Sequence, residues 1–78
     1  MTPTEERIAQ IFAEFLGLEF VDPEDDVFSL GGDSMEAVRI ALQIEREFDV
    51  KLPMDEFEES GTVSELAAWI DDSKKSPS

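Results

Sequence analysis

The 78-residue chain contains no cysteine, no histidine and no tyrosine. Without cysteine, neither a disulfide framework nor a thiolate metal site can form. Without histidine, the usual general base is missing, and Ser-His-Asp or Cys-His catalysis is excluded. These absences favour a binding function over the common catalytic arrangements.

Long apolar runs are also missing. No stretch approaches the roughly 18 apolar residues that a membrane-spanning helix needs. The first residues, 1–6, lack the basic start and apolar run of a signal peptide. We therefore expect a cytoplasmic protein without membrane association. The initial methionine, and an end soon after the last predicted helix, favour a free-standing chain, although an excised domain would look the same.

Basic residues are few: 6 Lys and Arg stand against 20 Asp and Glu, which gives a formal net charge of −14. The electrostatic field of this negative charge repels nucleic acid and anionic membranes and attracts basic protein surfaces. The simpler interpretation is that the charge only keeps a small protein soluble.

The length allows one small domain, which we place over residues 1–78. Its core spans about 4–70, and residues 71–78 are expected to form a frayed C-terminal tail. A chain of this size buries only about 60% of its unfolded surface, so a deep preformed cleft is not expected.

Hydrophobic spacing and capping residues predict three main helices. The first begins with Thr2 as N-cap in a capping box and ends at Gly17. The second runs from about Ser34 to Phe48, and the third opens with a capping box over residues 62–65.

Shorter elements are expected between these helices. Asp22–Asp26 predicts a helical turn capped by Asp22, and Met54–Glu59 a brief helix anchored by Phe57. Asp22–Asp26 does not fit a calcium loop, because the required Gly and Glu positions hold other residues. The fold class is therefore all-α: a small antiparallel four-helix bundle, three main helices plus one short helix, with a long first loop. Six apolar residues should anchor that loop: Leu18, Phe20, Val21, Val27, Phe28 and Leu30.

The second helix has two apolar faces at about 100° per residue. One face is assigned to the core and consists of Ala37, Ile40, Ala41, Ile44 and Phe48. Met35, Val38 and Leu42 fall on nearly the opposite side. Two interpretations of this second face stay open: the first loop folds over it, or a partner protein docks on it.

The stretch that starts the second helix carries the candidate site. Asp33 is a good N-cap residue, which places Ser34 at the first helical position with its hydroxyl outward. Amide dipoles there favour a negative group such as a phosphate. Gly31 and Gly32 relax the steric limits on the backbone and let another molecule approach closely. A serine at a helix start is nevertheless, in general, more often a cap or a solvent-exposed residue than a functional one.

Gly31-Gly32-Asp33-Ser34-Met35 followed by a helix resembles the modification site of acyl and peptidyl carrier proteins. The resemblance covers roughly Thr4 to Ile70. It implies that Ser34, flanked by Gly31, Gly32 and Asp33, carries a covalent 4′-phosphopantetheine arm donated by coenzyme A. It also implies a carrier rather than an enzyme, with no catalytic residue and no metal, whose cargo rides on the arm as a thioester.

The resemblance further implies a set of partners and a docking face. The partners are a phosphopantetheinyl transferase, an acyl- or aminoacyl-loading enzyme, and downstream synthase, modifying or thioesterase enzymes. We expect a monomer that binds no nucleic acid. By position relative to the family's motif, the docking face consists of Met35, Glu36, Val38, Arg39, Leu42 and Glu45.

Details of the motif bear on the cargo. Leu30–Ser34 resembles carriers of nonribosomal peptide and polyketide assembly lines, whereas Ile44–Phe48 and the acidity resemble fatty-acid-type carriers. Arg39 and Arg46 near the docking face depart from the chiefly acidic fatty-acid type. We therefore favour secondary metabolism, with a fatty-acid-type carrier as the alternative.

Functions of other classes remain as alternatives. An unmodified acidic adaptor that binds a basic partner explains the charge and the second apolar face, but not Gly31–Ser34. A serine enzyme would need a lysine base, and the lysines, at positions 51, 74 and 75, lie far along the chain.

Overall fold

The computed structural model describes residues 2–52 and 61–75, with side chains described through Ser73. Three helices make up the regular structure of these ranges: α1 (Pro3–Leu16), α2 (Ser34–Phe48) and α3 (Val63–Lys75). No strand occurs in them, and the only β-type pairing there is an isolated antiparallel bridge between Asp26 and Thr62. The all-α class is thereby confirmed. The predicted short helix over residues 54–59 lies outside the described residues.

Helix α1 is closed at both ends by the predicted caps. The Thr2 hydroxyl accepts a hydrogen bond from the Glu5 amide (3.1 Å), and the Glu5 carboxylate accepts one from the Thr2 amide (2.8 Å). The bond from the Thr2 amide to the carboxylate lowers the pKa of Glu5. Gly17 ends the helix with a left-handed φ of 70°.

Helix α2 has the predicted bounds. Its N-cap is Asp33, and it ends at Asp49, which adopts the left-handed conformation (φ 56°) and donates its N–H to the Glu45 carbonyl. A residue with a Cβ pays about 1–2 kcal/mol in this conformation, although aspartate tolerates it better than most. Asp49 is therefore a point of backbone strain beside a well-formed helix.

Helix α3 is longer than expected. The Thr62 hydroxyl accepts from the Glu65 amide (3.1 Å), as the capping box predicted. The helix continues to Lys75, so the prediction of a frayed tail from residue 71 is wrong as far as residue 75. The physical reason is a contact between helices: Asp71 accepts a hydrogen bond from the Thr4 hydroxyl of α1 (2.8 Å), which holds this part of α3 in place.

The core lies where α1 packs against both α2 and α3. Its largest fully buried side chains include Ile8 and Phe12 of α1, Ile40 and Ile44 of α2, and Ile70 of α3. The predicted inner face of α2 is confirmed for four of its members, which are completely buried: Ala37, Ile40, Ala41 and Ile44. Phe48, the fifth member, is only half-buried at the edge of this core.

A charged contact also joins α1 to α2 on the surface. The Arg7 guanidinium donates to both oxygens of the Glu47 carboxylate and lies 3.7 Å from Glu14. The Arg7 bond lowers the pKa of Glu47. Because both side chains are partly exposed, this pair contributes little to stability.

The first loop, residues 18–33, is held by two buried valines, Val21 and Val27, and partly by Leu18 and Leu30. Phe20 and Phe28 are exposed, so the prediction that they anchor the loop is wrong: each is adjacent in sequence to a valine that occupies the buried position.

The turn at Asp22–Asp25 also differs from the prediction. It is one turn closed by a bond from the Asp25 amide to the Asp22 carbonyl (3.0 Å), and the capping carboxylate belongs to Asp25, which accepts from the Asp22 amide (3.1 Å). A helical turn does not continue because the next carbonyls bond elsewhere. Asp25 and Pro23 carbonyls accept from the Val63 and Ser64 amides of α3, at 3.1 and 2.8 Å.

Candidate functional site

The segment that leads into α2 is a sequence of tight turns. Ser29 and Asp26 bond reciprocally: the Ser29 amide donates to the Asp26 carboxylate (2.6 Å), and the Asp26 amide donates to the Ser29 hydroxyl (3.1 Å). The Gly32 amide then donates to the Val27 carbonyl at 2.8 Å. These bonds fix the path of the chain immediately before Ser34.

The two glycines before Asp33 have different surroundings. Gly31 has a left-handed φ of 92°, and a Cβ added there would meet nothing within 4 Å. A Cβ on Gly32 would lie 2.5 Å from Val27 Cγ1, 2.9 Å from Leu16 Cδ2 and 3.0 Å from the Val27 carbonyl oxygen. Gly32 is thus required for packing of the loop on α1, whereas Gly31 borders open space. That both glycines clear room for an approaching molecule stays a prediction.

Ser34 is exposed at the first position of α2. Asp33 fixes this start because its carboxylate accepts from the Glu36 amide (2.9 Å) and its carbonyl from the Ala37 amide (3.0 Å). In the described part of the chain, neither the Ser34 hydroxyl nor the Ser34 and Met35 amides have a hydrogen-bond partner. A phosphate ester on Ser34 would therefore lie next to free N–H groups at the positive end of a helix.

The second apolar face of α2 lies in solvent. Met35 is 67% exposed, Leu42 53% and Val38 38%. The interpretation that the first loop covers this face is therefore wrong, and the three side chains form a continuous apolar stripe that begins beside Ser34. Phe28 is exposed in the loop just before the site, a position that the spacing of apolar residues did not reveal.

The charged members of the predicted docking face differ in their exposure to solvent. Arg39 is exposed, and Glu36 is partly buried. Glu45 is also partly buried, and its carboxylate accepts from the Leu52 amide (2.7 Å), so it holds the connector after α2. No local pattern indicated this bond, because it joins residues on either side of the helix end.

Over residues 6–70 the chain matches the protein family described as phosphopantetheine attachment site. The chain belongs to this family. The family's group is 4′-phosphopantetheine, and Ser34 with its flanking turn lies inside the matched segment. The protein is accordingly a carrier with this cofactor.

The chain is similar to relatives of two kinds, a segment of a much longer protein and a protein of its own length. Over 71 residues, 91% of the chain, it is 38% identical to gramicidin S synthase 2 of Brevibacillus brevis, and the match spans only 2% of that protein. Over 77 residues it is 36% identical to the acyl carrier protein of Zymomonas mobilis subsp. mobilis, and the match covers 95% of this chain and 99% of that protein.

A solved structure has the same fold. The peptidyl carrier protein in the structure of the phosphopantetheine transferase Sfp with coenzyme A superposes with a TM-score of 0.86 at 28% identity. The match covers 92% of this chain and 94% of that one. No helix in residues 2–52 and 61–75 is long and apolar enough to cross a bilayer.

Proposed function

We propose that Ser34 Oγ holds the 4′-phosphopantetheine arm through a phosphodiester. The observation that carries this proposal is the free, exposed hydroxyl at the first position of α2, within the segment matched by the family. The arm supplies a terminal thiol, the group this cysteine-free chain lacks, on which cargo is carried as a thioester.

The chain's own residues present the serine and stabilise the modified form. Asp33 holds the first turn of α2, and Gly32 with Val27 holds the loop that precedes it. The free amides of Ser34 and Met35 would be available to the phosphate at the start of α2. A negative group at a helix N-terminus gains about 0.3–1 kcal/mol at an exposed position.

The role we assign is the transport of acyl, aminoacyl or polyketide intermediates in a secondary-metabolite pathway of the nonribosomal peptide or polyketide type. The 38% sequence identity with a segment of gramicidin S synthase 2 supports this assignment. The protein acts as a monomeric cytoplasmic carrier and leaves catalysis to its partners. These are the transferase, a loading enzyme, and synthase, modifying or thioesterase enzymes.

The test is intact-mass measurement after incubation with coenzyme A and a broad-specificity phosphopantetheinyl transferase. Wild type should gain one phosphopantetheinyl group, and Ser34→Ala should gain none. Ser73→Ala is the matched control, since Ser73 is also an exposed helical serine, and it should be modified like wild type. Modification of Ser34→Ala, or none on folded wild type with two different transferases, would contradict the proposal.

A fatty-acid-type carrier is the second candidate, because the Zymomonas acyl carrier protein matches over nearly its whole length. The modified protein can be offered malonyl-coenzyme A with a malonyl transferase, or amino acids with adenylating enzymes. Mass increments then separate two outcomes: aminoacyl loading supports the peptide type, and malonyl loading alone supports the fatty-acid or polyketide type over the peptide type. An unmodified adaptor would instead keep its partner binding in Ser34→Ala.

A further inference from the structure

A groove of about 200 Å³ lies between α1 and residues 19–21 of the first loop, and the proposed function does not use it. The α1 side consists of residues at spacings of three and four, which share one face of the helix over about 10 Å: Glu6, Ala9, Gln10 and Ala13. Gly17 ends α1 in the left-handed conformation, and the chain turns so that residues 19–21 form the other side. Within the described ranges the groove is lined by α1 and the first loop, so the apolar stripe of α2 lies outside it.

The bottom of the groove is apolar, and its edge carries an aromatic ring. Ala9 and Val21 are buried and Ala13 is partly buried, so small or branched side chains form the bottom. Phe20 is 69% exposed at the edge. This arrangement leaves apolar surface in water that a partner would cover with a gain in free energy.

The volume of the groove selects a single side chain as its occupant. Pockets for cofactors and other small molecules usually measure about 300–1,000 Å³, which is more than this groove offers. A cavity of about 150 Å³ is enough to hold benzene, so one aromatic or branched aliphatic side chain fits. Anchors of this kind carry much of the binding energy of protein interfaces.

Two free carboxylates flank the apolar bottom. Glu6 and Glu19 are exposed, and neither carboxylate has a hydrogen-bond or ion-pair partner in the part of the chain that the structure describes. An occupant with positive charge on both sides of its apolar anchor would complement this pattern.

The arginine of α1 does not neutralise the groove. The Arg7 guanidinium donates to Gln10 at the groove (3.1 Å), but it also donates to Glu47 and lies 3.7 Å from Glu14. Two carboxylates thus already face this one positive charge before Glu6 is counted. The other basic side chains of the described ranges lie on α2 or after it.

We propose that this groove is a second docking site, which binds a basic segment of a partner protein through one aromatic or aliphatic side chain placed between Lys or Arg residues. The apolar side chain fills the groove against Phe20, and the cations pair with Glu6 and Glu19. The occupant is a protein, because the negative field of this chain repels nucleic acid and anionic membranes and attracts basic protein surfaces. Since the groove shares no residue with the α2 stripe, the partner holds the protein while Ser34 stays open to enzymes.

The experiment titrates the peptide N-acetyl-Lys-Trp-Lys-amide into the ¹⁵N-labelled protein and follows backbone amides by NMR. Saturable shifts are expected at Ala9, Ala13 and Val21, with a Kd of about 1 mM for so small a ligand. The matched peptides with Lys-Ala-Lys and Gly-Trp-Gly should bind about tenfold and about fivefold more weakly, because each lacks one of the two recognised features.

Variants of exposed residues test the same contacts without disturbing the core. Phe20→Ala should weaken binding about fivefold, and Phe28→Ala, an exposed phenylalanine of the same loop outside the groove, should stay within about twofold of wild type. Glu6→Gln and Glu19→Gln should each weaken it about threefold. Glu24→Gln, an exposed loop glutamate outside the groove, is their matched control and should bind like wild type.

Four results would overturn the inference. These are no saturable shifts in the groove, equal binding of the Gly-Trp-Gly peptide (a neutral apolar occupant), equal losses in Phe20→Ala and Phe28→Ala, and groove shifts that grow with protein concentration alone (a second copy of the chain). The peptide-saturated protein should also be modified on Ser34 within about twofold of the free rate, because the two sites are separate. A failure of the transferase on free protein would refute the proposed function and leave the NMR result on the groove intact.

Discussion

Replacing Gly32 with alanine should destabilise the fold by about 3 kcal/mol, whereas the same change at Gly31 should cost about 1 kcal/mol. The new Cβ at position 32 would lie 2.5 Å from Val27 Cγ1, where carbon atoms normally approach to about 3.5–4.0 Å. Val27 cannot retreat, because it is buried and its carbonyl accepts from the Gly32 amide. Overpacking of this kind costs typically about 1–3 kcal/mol, and the fixed backbone oxygen places this site at the upper end.

At Gly31 the cost comes from the backbone alone. A left-handed φ destabilises an alanine by about 1–2 kcal/mol in the folded state. Alanine also lowers the conformational entropy of the unfolded chain, which stabilises the fold by about 0.4–1 kcal/mol. Gly17→Ala is the control, because Gly17 has the same kind of φ with open space around it and lies at the end of α1.

Urea unfolding followed by far-UV circular dichroism gives the three free energies of unfolding. The gap of about 2 kcal/mol between the Gly32 and Gly31 variants corresponds to about 8–16 °C in Tm for a domain of this size. Val27→Ala should relieve the clash, so that a double-mutant cycle shows a favourable coupling above about 1 kcal/mol. The packing argument is refuted if Gly32→Ala costs under about 1 kcal/mol, or if the coupling with Val27 is absent.

Three further changes test other parts of the structure. Phe12→Ala should lower the free energy of unfolding by about 3–5 kcal/mol because Phe12 is fully buried. Phe48→Ala should lower it roughly half as much because Phe48 is half-buried, and equal values in urea unfolding would contradict this description of the core. Val38→Asp should leave the free energy of unfolding within about 1 kcal/mol but lower phosphopantetheinyl transfer about tenfold, and an unfolded variant would show that this face is buried. Asp49→Gly should raise Tm by a few degrees, since glycine adopts the left-handed conformation freely, and an unchanged Tm in calorimetry would speak against strain there.

Features set by neighbouring residues could be predicted from the sequence. Thr2, Gly17 and Asp33 cap their helices as predicted, because a cap depends on a side chain and amides three or four positions away. The inner face of α2 was also predicted correctly, from the helical spacing of its apolar residues. Ser34 could be placed at the start of α2 for the same reason, and its role as attachment point stays a prediction from the family motif.

Features that depend on distant parts of the chain could not be predicted. The requirement for Gly32 arises from Leu16 and Val27, and the continuation of α3 past Ile70 goes with a bond from Thr4. Exposure of the stripe on α2 could not be decided either, because spacing gives the direction of a side chain and not what lies over it.

Main-chain hydrogen bonds tie the loop before Ser34 to the start of α3, with the Pro23 and Asp25 carbonyls as acceptors. Such bonds depend on the course of the main chain and not on which side chains it carries. Chimeric carriers can therefore exchange the segment that contains the serine and α2 while keeping a foreign C-terminal helix, provided that the glycine and valine at positions 32 and 27 are transferred together. The junction between the two parent sequences should lie before residue 22, so that the loop from residue 22 onward and α2 come from the same parent.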